Sequence, residues 1–181
     1  MKKLLLVLLL PLVLYSEDFI FGDNVIGIEI SPVRLVLQES DMHTFSGGFS
    51  YFLREQNAEL HFPIYIEQSK YTSYNEQIAT FDAEYRKFLN KGFYVGGLFR
   101  VAKLWGGKED KSTIKLGFGA STGYRFVFDD ALYLGVGASF TRYFTGENHI
   151  FGSGGGIDMT YLDNDTKGIF ELEFLKIGYA F

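Results

Sequence analysis

From Thr113 to Phe128 the chain alternates almost without a break. Ile114, Leu116, Phe118, Ala120, Thr122, Tyr124, Phe126 and Phe128 form one row, and Thr113, Lys115, Gly117, Gly119, Ser121, Gly123 and Arg125 form the other. A helix would scatter both rows around its circumference, so the period of two predicts a strand. The same pattern recurs over Phe45–Arg54, Ala58–Glu67, Ala79–Arg86, Phe93–Val101 and Leu132–Thr141. A first strand over Val25–Leu37 keeps Ile26, Ile28 and Ile30 in phase, then shifts by one at Ser31-Pro32, where a bulge restores the register and accommodates the proline. A last strand over Gly168–Phe181 changes phase near Phe174-Leu175, which predicts a second bulge.

The links between these segments alternate in length. Those at Arg54–Asn57, Asn90–Gly92 and Asp129–Asp130 are short and rich in turn formers, whereas those at Gln38–His43, Ser69–Glu76, Leu104–Lys111 and Thr145–Lys167 are longer. Tight turns at one end and long loops at the other are the habit of membrane barrels with an even number of strands. The pattern predicts an all-β, membrane-spanning, antiparallel up-and-down barrel of eight strands, with both chain ends on the short-turn side. Ile150–Leu162 also has strand-like spacing. As a ninth membrane strand it would break the even count, so it is assigned to an elongated last loop.

The N-terminus predicts export. Lys2 and Lys3 precede an apolar stretch from Leu4 to Leu14, interrupted only by Pro11, and Ser16 supplies a small residue before Glu17 and Asp18. The apolar stretch is too short to span a bilayer, so residues 1–16 read as a cleavable signal peptide and 17–181 as the barrel domain. The absence of cysteine leaves no disulfide framework and no lipoprotein attachment site. The expected destination is the outer membrane of a Gram-negative bacterium.

Composition agrees with a wall facing lipid. Aromatic residues make up 18% of the chain, yet the mean hydropathy is only +0.05, as expected when apolar and polar rows alternate. The net charge of −5 and the lack of a basic stripe argue against a nucleic-acid partner.

With leader, eight segments and terminal aromatic in place, the chain resembles the small outer-membrane barrels of the OmpX, OmpA-transmembrane-domain and OmpW type. The resemblance implies outer-membrane lipids and the barrel-assembly machinery as partners. It also implies an assembly signal in the last strand, at the positions held here by Gly178, Tyr179 and Phe181. It leaves an extracellular ligand or a host surface as a further partner. Nothing follows Phe181, so the peptidoglycan-binding part of full-length OmpA has no counterpart expected here.

The inward rows carry most of the charge. Glu29, Glu59, Asp82 and Glu84 fall on polar phases, as do Arg54, Arg86, Arg100, Lys115 and Arg125, and Glu67, Glu171, Glu173 and Lys176 extend the set. An eight-stranded barrel is only wide enough inside for side chains to fill, so these charges are expected to pair into a plug rather than line a pore. A narrow channel or a lateral conduit for small or apolar molecules is the alternative.

No catalytic residue is assigned. Lipid-modifying barrels of the deacylase type resemble PagL, with a His and a Ser two residues apart on one strand face. Here His149 and Ser153 are four apart beside a glycine run, and His43 and His61 have no partner that sequence establishes. No metal site or cofactor is expected either. Asp163–Lys167 begins like a calcium loop but lacks the glycine and terminal glutamate, and Gly152–Gly156 lacks the lysine of a phosphate loop. The reading is a non-enzymatic barrel for surface interaction or envelope integrity.

Overall fold

A computed structural model describes residues 20–32, 42–70, 75–106, 111–144 and 168–181. It forms one closed antiparallel barrel in which each strand pairs with its neighbours in sequence and the last pairs with the first. The strands are β1 (Ile26–Ile30), β2 (Met42–Leu53), β3 (Ala58–Lys70), β4 (Asn75–Asn90), β5 (Phe93–Gly106), β6 (Lys111–Phe128), β7 (Leu132–Tyr143) and β8 (Gly168–Ala180). All eight segments predicted from alternation are strands. The rows also face as the polarity demands: Phe118, Phe126, Ile28 and Tyr179 are exposed on the outer wall, while Glu29, Glu59, Arg86 and Arg125 are buried inside. The expected signal peptide (residues 1–16), Val33–Leu37 of the predicted first strand, Ile150–Leu162, His149, Ser153, the glycine run and Asp163–Lys167 lie outside the described residues.

The strands run further than polarity indicated. β3 and β4 stay paired from Ala58↔Lys87 up to Lys70↔Asn75, and β5 and β6 up to Gly106↔Lys111. Gln68, Lys70, Asn75 and Gln77 are polar on the outer phase, so the apolar wall ends there while the backbone ladder continues. Within β3, Phe62 and Pro63 drop out of the ladder with β4 while the register on either side is kept, because proline has no N–H to offer that neighbour. The bulge expected in the last strand is present. Gly135 pairs with Lys176 and Gly137 with Glu173, so Phe174 and Leu175 together oppose Val136, and Leu175 takes φ 50°.

At the short-turn end, Asp129 and Asp130 both adopt positive φ (50° and 58°), as the central residues of a type I′ turn do, and the Ala131 amide donates to the Phe128 carbonyl at 3.1 Å. Gly92, at φ 96°, is required doubly, since a Cβ there would meet the Arg125 carbonyl that it packs against. The barrel closes at this end. The Phe181 carbonyl accepts from the Val25 and Ile26 amides (3.2 and 3.0 Å), and the Phe181 amide donates to the Ile26 carbonyl (2.8 Å). Residues 20–24 turn beneath the lumen and bring Phe21, fully buried, onto Phe52, with ring centroids 4.3 Å apart. Phe88 and Tyr133 meet the same ring edge-on at 5.9 and 5.2 Å. Together with Tyr94 and Ala180 these rings form an aromatic floor.

One close fit locks the closing strand to this floor. Tyr133 and Gly178 are cross-strand partners, and the Tyr133 ring occupies the space a side chain at 178 would need. We expect Gly178→Ala to destabilise the refolded barrel by about 1–3 kcal/mol through overpacking, and Tyr133→Ala to absorb much of that cost in the double variant. Urea unfolding in detergent, where no assembly machinery is present, checks this. An alanine variant as stable as the wild type would show that the ring does not hold the strand.

Candidate functional site

The lumen is the chemically distinctive part of the molecule, built from inward residues of every strand. Just above the floor, Arg125 on β6 places its guanidinium 4.5 Å from the Tyr133 ring centroid and 5.7 Å from that of Phe21. Arg86 on β4 lies 4.6 Å from the Tyr94 ring centroid. Each cation thus sits on an aromatic face that tolerates it away from water. Their other sides face carboxylates. Glu59 on β3, 0% exposed, accepts from Arg86 Nη1 at 3.0 Å and from Arg125 Nη1 at 2.5 Å.

Glu29 on β1 is the second hub. Its Oε2 accepts from Arg125 Nη2 (3.0 Å) and the Tyr133 hydroxyl (3.3 Å), while Oε1 lies 2.8 Å from Lys176 Nζ and 3.0 Å from His61 Nε2. Lys176 is also 2.6 Å from Glu173, and Arg86 Nη2 is 2.7 Å from Glu84, which accepts from the Ser121 hydroxyl as well. Nearer the loop end a separate cluster forms. Arg100 on β5 binds Asp82 on β4 in a two-point fork, both bonds 2.7 Å, and its Nη1 lies 2.5 Å from Glu171 on β8. Fork geometry matches a planar guanidinium to a planar carboxylate and fixes both.

The register explains why these groups meet. Asp82↔Arg100 and Glu59↔Arg86 are direct cross-strand pairs. Arg125 instead reaches across the lumen to β1 and β3, which is feasible only because an eight-stranded barrel is narrow inside. Glu29, Glu59, Asp82, Glu84, Arg86, Arg100, Lys115 and Arg125 are all buried. Arg54 is a correction to the interior set. The chain leaves β2 at Leu53 for a short 3-10 turn (Arg54–Gln56), which ends the alternation, and Arg54 lies 63% exposed beside the equally solvent-facing Asp23.

The structure also joins groups that sequence could not. His61 Nδ1 lies 2.9 Å from Ser50 Oγ, and its Nε2 faces Glu29. Hydroxyl, imidazole and carboxylate stand in the order of a nucleophile, base and acid. Yet Ser50 and His61 are 1% and 0% exposed, so a substrate carbonyl has no approach to the hydroxyl, and Glu29 is already shared among cations. The trio is interior polar packing. Phe21 is the other unforeseen residue; it precedes the first strand, where no periodicity marks it. Among the described residues no group of three or more ligating side chains is placed to hold a metal ion.

A lateral opening would have to cross the wall. One open depression of about 430 Å³ lies on it, with Leu60, Phe62, Tyr85, Phe99 and Phe118 surrounding Ala83 and Gly97. Beneath it the ladder is intact between β4 and β5, with Ala83↔Phe99, Glu84↔Leu98 and Tyr85↔Gly97 in register. It is an open notch in the apolar outer surface, set over paired strands.

No protein-family model matches the chain, and no curated protein matches it. Two solved structures share its fold. Neisserial surface protein A (NspA) is 11% identical, with a TM-score of 0.51 over 87% of this chain and 94% of that one. The N-terminal β-barrel domain of Pseudomonas aeruginosa OprF is 14% identical, with a TM-score of 0.50 over 87% of this chain and 98% of that one. At such identities the likeness is one of fold: the chain is a closed eight-stranded antiparallel barrel, as those two proteins are.

The pairing makes a distinction that stability can read. Removing Arg125 leaves Glu59 and Glu29 each short of a cation in the interior, and should cost about 3–5 kcal/mol. Removing exposed Arg54 should cost at most about 1 kcal/mol. Denaturant titration of Arg125→Ala and Arg54→Ala in the same detergent checks this, and equal losses would contradict the burial assigned to Arg125.

Proposed function

We propose that this protein is an exported, non-enzymatic barrel of a Gram-negative outer membrane, mature from Glu17, that works through its loop-end surface in interaction or envelope integrity. The lumen carries the argument. Charges in register and charges reaching across the barrel fill it, and Phe21 underlies it with a floor of aromatic rings. A barrel occupied in this way offers its exterior and its loops to partners, and loops on a rigid scaffold are where interaction residues concentrate. Outer-membrane lipids contact the wall, and an extracellular ligand or a host surface would meet the loops. The assembly machinery would recognise the closing strand at Gly178, Tyr179 and Phe181. The conduit reading has less support, because the notch around Gly97 lies over paired strands.

Two measurements on one preparation test this reading. Epitope tags at Asn75 or Lys108 should be reachable on intact cells and a tag at Asp130 hidden, with the protein in the outer-membrane fraction and starting at Glu17. Refolded protein in planar bilayers should show no sustained single-channel conductance. Labelling at Asp130 alone would invert the barrel, and a steady selective conductance would replace the plug with the conduit.

A further inference from the structure

The two faces of the barrel wall differ in the sign of charge as well as in polarity. Among the described side chains, carboxylates of the strands turn inward: Glu29, Glu59, Glu67, Asp82 and Glu84 are buried, Glu171 pairs with Arg100 across the lumen, and Glu173 pairs with Lys176 on its own strand. Among the described residues, the charged side chains on the outward rows are all basic, namely Lys70, Lys87, Lys103 and Arg142. Random placement would mix the signs, and a wall meeting only hydrocarbon would carry neither.

Three of the four stand at one level. Lys70 ends β3, Lys103 lies near the loop end of β5 and Arg142 near that of β7, all exposed and each roughly a dozen residues along its strand from the short-turn end. At about 3.3 Å per residue and a tilt near 45°, that height is close to the ~25 Å apolar band of such barrels. Below the cations the wall is apolar, with Phe118, Phe140 and Ile66 exposed. Trp105, the residue type that favours a membrane–water boundary, lies beside Lys103, whose Nζ is 5.5 Å from its ring centroid. The opposite boundary is built otherwise: exposed Tyr51, Tyr85 and Tyr179 mark it, and Lys87 there is engaged with the Gln56 carbonyl. Among the described residues, the belt of exposed strand cations thus lies at the loop end.

Side chains of this kind attract phosphate groups at a lipid surface, and the apolar wall beneath supplies a surface for the acyl chains of the same molecules. We propose that Lys70, Lys103 and Arg142, with Trp105, form a belt that binds the phosphates of the phosphorylated glycolipid in the loop-side leaflet, lipid A. This inference rests on the outer-membrane reading, which fixes that leaflet as the external one. The wide spacing on alternate strands suits several lipid molecules side by side rather than one enclosed ligand.

Barrel refolded into phosphatidylcholine vesicles separates the two readings, because a heat-modifiable band there tests insertion before any anionic lipid is added. Failure to insert overturns the membrane reading itself. Inserted barrel is then moved to nanodiscs holding phosphatidylcholine with either diphosphoryl lipid A or phosphatidylglycerol at equal phosphate content, and co-purifying lipid is counted by native mass spectrometry. Wild type should retain lipid A in preference to phosphatidylglycerol. Lys70→Gln, Lys103→Gln and Arg142→Gln should each weaken retention, on the order of fivefold per cation removed. Lys103→Arg should keep it, and Lys87→Gln should leave it unchanged. Unaltered retention in the triple variant, equal retention of phosphatidylglycerol, or full displacement by inorganic phosphate would each overturn the proposal.

Discussion

Glu59 lies fully buried between two guanidinium groups, and most of the interior follows from satisfying it. A carboxylate out of water is tolerated only where paired and hydrogen-bonded. Its partners Arg86 and Arg125 carry the same requirement outward, to Glu84 and to Glu29, and Glu29 passes it on to Lys176. The aromatic floor completes the arrangement from below, because Tyr94 and Tyr133 receive the faces of the two arginines. Closure of the barrel and pairing of its charges are therefore one condition. The cross-lumen bonds from β6 to β1 and β3 form only when the sheet has closed to a narrow interior.

The same condition divides the chain's chemistry between two faces. Carboxylates occupy the inside, where cations meet them. The outside keeps apolar and aromatic residues over the band, tyrosines at the short-turn edge and cations at the loop edge. Since the strand period is two, a register slip of one residue would turn the carboxylates to the outer face and bury the aromatics. The bulge at Phe174-Leu175 preserves this division in β8, with Glu173 and Lys176 both facing inward on either side of it.

Sequence made the strands legible because alternation is a local property, and Thr113–Phe128 shows it over its whole length. It understated their ends, since Gln68 and Gln77 continue the hydrogen-bond ladder without continuing the apolar row. It misplaced Arg54 because alternation was extrapolated past Leu53 into a turn with a different period. The inward charges were legible as a set, but their partners were not: Arg125 meets Glu29 and Glu59 across the lumen, at 96 and 66 residues' separation. Neither Phe21 nor the contact of Ser50, His61 and Glu29 left a local signal, because each depends on several strands coming together.

The central claim is that lumen charges are coupled in a closed interior rather than solvated in a passage, and Asp82 with Arg100 tests it most directly. A double-mutant cycle with Asp82→Asn and Arg100→Gln, followed by reversible unfolding in lipid, isolates their coupling from the other contacts each makes. Coupling above about 1.5 kcal/mol is the result expected of a desolvated two-point pair. Coupling within about 0.5 kcal/mol of zero, the level of a solvent-exposed pair, would contradict a closed, paired interior.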